Sequence, residues 1–180
     1  MNYKDVLNKY KSLDEDLKWY FQELPSLINK GFQYEICIAY LFMQLETARL
    51  MTLYCGIKRK YKTDTEVTWK ILDANEINWK NFKEFFFNIY HKKYDTNLHK
   101  RLEFAIRIRN ILIHGGSAKE QDKIKCILNI FDFCINYNNY IYKIAGFKPI
   151  GRLTGVFGAS IYNLDGEVSR MVMRGLNFSA

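Results

Sequence analysis

The feature that most constrains this chain is where its helix breakers fall. Of ten glycines in 180 residues, six (Gly146, Gly151, Gly155, Gly158, Gly166, Gly175) lie in the last 35 positions, and the only prolines are Pro25 and Pro149. Glycine and proline are the residues least compatible with a helix interior, so residues 1–145 are open to long helices and residues 146–180 are not. Apolar periodicity fills the first region. Val6, Leu7, Tyr10, Leu13, Leu17, Tyr20, Phe21 and Leu24 follow a three-four repeat over 3–23, ended by Pro25. A second, nearly all-apolar helix is expected from about Tyr34 to Tyr54 with Gly56 as its C-cap, then shorter helices over about 64–73 and 79–93. A helix over 96–114 and a long one from Ser117 to about Ala145 complete an all-α bundle of about five main helices. The tail reads as an extended arm or a small hairpin, with Ala159–Asn163 and Glu167–Val172 flanking a turn at Asn163–Gly166. The domain plan is therefore 1–145 as a helical bundle and 146–180 as a Gly-rich extension.

Residues 101–116, RLEFAIRIRNILIHGG, carry the one arrangement with chemical content. At about 100° per residue, Glu103, Arg107, Asn110 and His114 form a narrow polar stripe, at spacings of four, three and four. Leu102, Ala105, Ile106, Leu112 and Ile113 form an apolar face, and Arg109 sits within it. A guanidinium does not shed its charge, so Arg109 there requires a carboxylate, carbonyls or a phosphate. Glu46, within the apolar second helix, is one partner for it; an i, i+3 pair of Glu46 with Arg49 is the other arrangement the spacing allows. Gly115-Gly116 predicts a left-handed cap, and Ser117–Glu120 a capping box opening the next helix. His114 then stands among exposed helix-end carbonyls that favour its imidazolium and raise its pKa above the ordinary value of roughly 6.5. The plain structural alternative is a capping histidine beside a snorkelling arginine.

Arg109-Asn110-Ile111-Leu112-Ile113-His114 resembles the motif of the HEPN superfamily, an arginine, a polar neighbour and a histidine four to six positions beyond it in an all-helical domain. The likeness is close over 101–116 and extends as a helical pattern over 1–145. Gly116 departs from the tyrosine usual at that place in HEPN toxins paired with a minimal nucleotidyltransferase antitoxin. The resemblance implies a metal-independent endoribonuclease with a toxin or phage-defence role, working as a homodimer whose two motifs face one cleft, with an antitoxin or regulatory protein as a possible further partner. Arg109, Asn110 and His114 would be catalytic, with Glu46, Glu103 and Arg107 in support. Chemically, 2′-hydroxyl attack requires a base, an acid and positive charge at the phosphorane. Arg109 suits the last role by its planar fork, His114 suits proton transfer, and Asn110 would orient the imidazole or the phosphate. One histidine leaves one proton-transfer role unfilled.

The excess of 27 Lys+Arg over 19 Asp+Glu, +8 in all, fits RNA, DNA or an acidic protein partner, or simply solubility. Lys58-Arg59-Lys60-Tyr61-Lys62 reads as a loop after the second helix, either holding RNA phosphates with Tyr61 stacked on a base or merely solvated. His91 and His99 read as helix-end histidines in a basic segment, and Asn136–Tyr142 as a dimer contact or core packing. Cys37, Cys55, Cys126 and Cys134 lack zinc-finger or C-x-x-C spacing and read as buried thiols of a cytoplasmic protein. No signal pattern opens the chain and no apolar run reaches the roughly 18 residues of a membrane span. No metal ligand set, Gly-rich nucleotide loop or activated Ser or Cys is legible, so no cofactor is expected. The competing reading is a catalytically silent module that binds RNA, a nucleotide or a protein through a basic cleft. A purely structural dimer, with Arg109 paired to Glu46, is the third.

Overall fold

The computed structural model describes residues 2–153 and 163–179, and they are all-α, with no strand among them. In chain order the helices are α1 Tyr3–Lys11, α2 Glu15–Tyr20, α3 Leu24–Asn29, α4 Tyr34–Tyr61, α5 Thr65–Ala74, α6 Trp79–Tyr90, α7 Thr96–Lys100, α8 Glu103–Ile113, α9 Glu120–Ala145 and α10 Gly166–Gly175. They form two compact units, each discontinuous in sequence. The first holds the residues up to Glu46 with Asp95–Tyr140 and Ile150–Arg152; the second holds Thr47–Tyr94, Ile141–Pro149 and the residues from Leu153 on.

In the first unit, the single helix expected over 3–23 is two short helices, and α3 follows them. The side chains at the breaks explain this. Ser12 donates its hydroxyl to the Lys9 carbonyl at 2.7 Å, and Asp14 accepts from the Leu17 N–H at 2.8 Å as the N-cap of α2. Short polar side chains of this kind offer the backbone an alternative to continuing a helix. Pro25 sits in the first turn of α3, where its missing N–H has no partner to lose. The burial pattern survives the breaks: Val6, Leu13, Leu17, Phe21 and Leu24 are all buried. They share the core with Cys37, Ile38 and Leu41 of α4 and with Ile127, Phe131 and Cys134 of α9. Phe21 meets Phe131 edge-on at 5.8 Å, and Lys123 of α9 pairs with Glu35 of α4. Tyr137 is buried here, as is Asn138, whose amide donates to the Ile150 carbonyl at 2.7 Å and accepts from the Ile150 N–H at 3.0 Å. Tyr140 accepts from the Asp95 N–H at 3.0 Å. The Asn136–Tyr142 stretch thus spends most of its polar and aromatic groups internally, and Tyr142 alone of its tyrosines is exposed.

In the second unit α4 does not stop at Gly56; it runs on to Tyr61. Gly56 is there for close packing: a Cβ on it would collide with the Tyr90 side chain, whose hydroxyl donates to the Thr52 carbonyl at 2.6 Å. Tyr54 stacks on Trp69 of α5 at 4.3 Å, and the Arg49 guanidinium lies 4.6 Å over Trp79 of α6. By length and composition α4 could cross a membrane, contrary to the expectation from apolar run length; half of that window is buried inside the fold, as for a bundle's core helix.

The tail also differs from expectation. Residues 166–175 form α10 and not the second strand of a hairpin; the proposed first strand lies almost wholly outside the described residues. Gly166 and Gly175 stand at the two ends of α10, so the run between them contains no glycine. Asp165 caps it by accepting from the Glu167 and Val168 N–H groups, Glu167 lies in the first turn and Arg174 in the last, all suited to the helix dipole. α10 packs on α5, buried Ser169 accepts from the Asp64 N–H at 2.7 Å, and Phe178 stacks on Phe85 at 4.0 Å.

Candidate functional site

The motif lies on α8, and the helix ends where the glycines predict. His114 is the C-cap, Gly115 adopts φ +75°, and the Gly116 N–H reaches the Ile111 carbonyl at 2.9 Å while the Gly115 N–H reaches that of Leu112 at 3.2 Å. This double closure is a Schellman motif. It fixes the backbone from which the His114 imidazole projects into solvent. The next helix begins at Glu120, two residues later than a cap at Ser117 would set it.

The stripe read from the sequence is one surface of the first unit. Glu103, Arg107, Asn110 and His114 are all exposed and line a single open groove of about 570 Å³, with Ile106 and Ile111 as its apolar patches. Arg107 lies 5.3 Å over the Phe104 ring, which holds its guanidinium beside the groove. His99 of α7 lines the same groove. Sequence reasoning passed over it, although the signal was present: His99 precedes Glu103 by four residues, so the four-three-four stripe extends one more step toward the N-terminus.

Arg109 points elsewhere. It is five residues from His114, about 140° around the helix. It lines a neighbouring depression of about 160 Å³ together with Phe42, Met43 and Glu46 of α4. Its Nη2 stands 3.7 Å from Glu46 Oε1, its guanidinium 5.6 Å over the Phe42 ring, and its Nη1 donates to Asn110 Oδ1 at 3.2 Å. The pairing with Glu46 expected across the bundle is thus present, while the Arg49 guanidinium stacks on Trp79. Asn110 is the hinge of the constellation, bonded to Arg109 on one side and facing the groove with His114 on the other.

The basic cluster belongs to the second unit and is not a loop. Lys58, Arg59, Lys60 and Tyr61 are the last residues of α4, and Lys62 follows in a left-handed conformation. Their side chains are engaged locally. Lys58 bonds the Thr63 carbonyl and, at 3.0 Å, Asn163; Arg59 donates to the Ala145 carbonyl at 2.9 Å; Lys60 donates to the Ile89 carbonyl at 2.8 Å, with the Tyr61 hydroxyl on the same oxygen at 3.4 Å. Two of these cations therefore meet carbonyls at helix C-termini, where positive charge is favoured. Burial lowers the Lys58 pKa and raises that of Tyr61.

The four cysteines are buried, and desolvation pushes Cys37 up to about 11 and Cys55 and Cys126 up to about 12. Thiols so shifted are poor nucleophiles. Among the described residues no group of three or more His, Cys, Asp or Glu side chains converges as a metal cage would require. Neither a family model, a curated protein nor a solved structure matches the chain.

Proposed function

We propose that this protein is a metal-independent endoribonuclease of the HEPN type, serving as a toxin or phage-defence effector in the cytoplasm and acting as a homodimer in which Arg109 and His114 of two subunits serve one cleft. The observation that carries the reading is that Asn110 and His114 face one solvent-filled groove while Asn110 is bonded to Arg109, so three of the motif's side chains form a linked, accessible set. The 2′-hydroxyl attacks phosphorus, its proton passes to a base, an acid protonates the departing 5′-oxygen, and a 2′,3′-cyclic phosphate remains. Arg109 serves the phosphorane by exchanging Glu46 for phosphate. An ion pair at 3.7 Å with side chains 35% and 55% exposed is readily given up, since exposed pairs contribute only about 0–1 kcal/mol. A partner of antitoxin or regulatory type would act by covering the groove.

The test is incubation of the purified protein with total RNA in EDTA, wild type beside His114→Ala and Arg109→Ala, with fragment sizing and end-group analysis. Wild type leaves cyclic phosphate ends. Loss of the acid–base group lowers the rate roughly 10²–10⁴-fold, and loss of the phosphate clamp about 10²–10³-fold, by analogy with an oxyanion donor. Intact RNA in every lane, from folded dimer, would sink the reading. It would favour the second one, a catalytically silent module binding RNA, nucleotide or protein, which the present aim of Arg109 toward Glu46 and Phe42 supports. In that case Arg109→Ala weakens binding and no variant cuts.

A further inference from the structure

His99 and His114 line one groove, yet they cannot serve one phosphate from the same chain. The chain passes from α7 to α8 through Arg101 (φ −63°, ψ −23°) and Leu102 (φ −93°, ψ −11°), both in the right-handed helical region, with the Leu102 N–H on the His99 carbonyl at 2.8 Å and the Ile106 N–H on the Leu102 carbonyl at 2.9 Å. The stripe His99, Glu103, Arg107, Asn110, His114 is therefore nearly continuous. Fifteen residues at about 1.5 Å rise put its two histidines roughly 22 Å apart along the axis. Each proton-transfer group must come within about 2.6–3.2 Å of an oxygen on the same phosphorus, or reach it through one water.

We infer that the second proton-transfer group of the site is His99 of the partner subunit, brought to His114 by a two-fold axis that crosses the groove between Ile106 and Arg107. This rests on the ribonuclease reading above and specifies which residue the second copy supplies. Antiparallel pairing about that axis matches position n with 213 − n. His114 then meets His99 of the partner subunit, and Asn110 meets the partner's Glu103, an amide donor against a carboxylate. Arg107 falls within one turn of the partner's Glu103, so two opposite-charge pairs form by symmetry, as a self-complementary interface requires. Each dimer carries two sites at the ends of the shared groove. His99 Nδ1 is screened from solvent, so a proton exchanged with the groove passes through Nε2. In the reaction the O2′–P bond forms and the P–O5′ bond breaks; one imidazole takes the O2′ proton and the other, starting as imidazolium, gives its proton to O5′.

The test is complementation in the full-length chain. His99→Ala and His114→Ala homodimers should each lose roughly 10²-fold or more in rate. Heterodimers of the two, isolated with different tags after co-expression, hold one intact site and one doubly altered site, and should recover about half the wild-type rate. A dead heterodimer, or a His99→Ala protein as active as wild type, would overturn the inference while leaving the ribonuclease reading in place. Wild type that cuts no RNA would overturn that reading and the role of His99 with it. A readout independent of cleavage is sedimentation: Glu103→Arg and Arg107→Glu should each shift dimer toward monomer, and the double swap should restore it. Wild type and all three variants sedimenting alike would rule out the proposed axis.

Discussion

Arg109 has three neighbours and none of them is strong: a carboxylate at 3.7 Å, an aromatic face at 5.6 Å and a neighbouring amide at 3.2 Å. Truncation to alanine should therefore lower stability by less than about 1 kcal/mol after solvent screening, the figure for an exposed pair, and not by the roughly 3–5 kcal/mol that follows when a buried pair is broken. Urea titration of Arg109→Ala, Glu46→Ala and the double variant measures this directly. A coupling above about 2 kcal/mol would favour the purely structural role for the arginine. At this scale the sequence was informative about direction and poor about depth. Helical spacing separated the polar stripe from Arg109, because angle around a helix follows from residue number alone. Whether Arg109 was buried depended on α4, whose Glu46 side chain is half-exposed and leaves the guanidinium at the rim. His99 was missed because the stripe was begun at the first residue of the motif helix, and Leu102-Arg101 marked a helix boundary that scarcely turns the chain.

Among the elements, α4 shows how glycine misleads. A glycine near the end of an apolar run reads as a C-cap, but Gly56 has no positive φ; it is the place where Tyr90 of α6 comes closest to the backbone. Gly56→Ala should gain helix propensity and still lose stability, by about 1–3 kcal/mol, because the added methyl overpacks the contact with Tyr90. Thermal melts of Gly56→Ala alone and with Tyr90→Phe check this. If the alanine alone raises the midpoint, the contact is looser than described. By contrast Gly115, also expected as a cap, is one, with φ +75° and open space around it. The two differ in what lies across from them, which a single sequence does not display. α10 was missed for a related reason. Counting glycines over 35 residues averaged away an interior with none, preceded by an Asp in N-cap position. Helices α5 and α6 were legible because Asp64 and Asn78 cap them locally, the carboxylate accepting from the Val67 N–H at 2.8 Å and the amide from the Lys80 and Asn81 N–H groups at 3.0 Å.

Over the whole molecule, the buried thiols and phenols set a direction for pH. Burial raises Cys37 to about 11, Cys55, Cys126 and Tyr34 to about 12, and Cys134 and Tyr20 as well. Unfolding returns the thiols to about 8.5 and the phenols to about 10. The folded state then holds protons that the unfolded state releases, so the stabilisation is complete below about pH 8.5 and is lost progressively as pH rises toward 12. Urea midpoints between pH 7.5 and 10.5 should fall steadily, and a thiol reagent should label the cysteines only as the chain opens. A flat profile would mean that the thiols are less buried than their surroundings imply. The all-α class and the existence of most helices followed from periodicity and from the scarcity of breakers before Gly146. What sequence order could not convey is the division into units, because each is assembled from three separated stretches of chain and the boundary falls inside α4 and inside α9. No single cloning boundary, therefore, yields either unit whole. Any terminal deletion that removes part of one removes a helix the other continues, so assigning roles by dissecting the chain into fragments would report on damage, and point substitutions in the intact protein are the informative instrument.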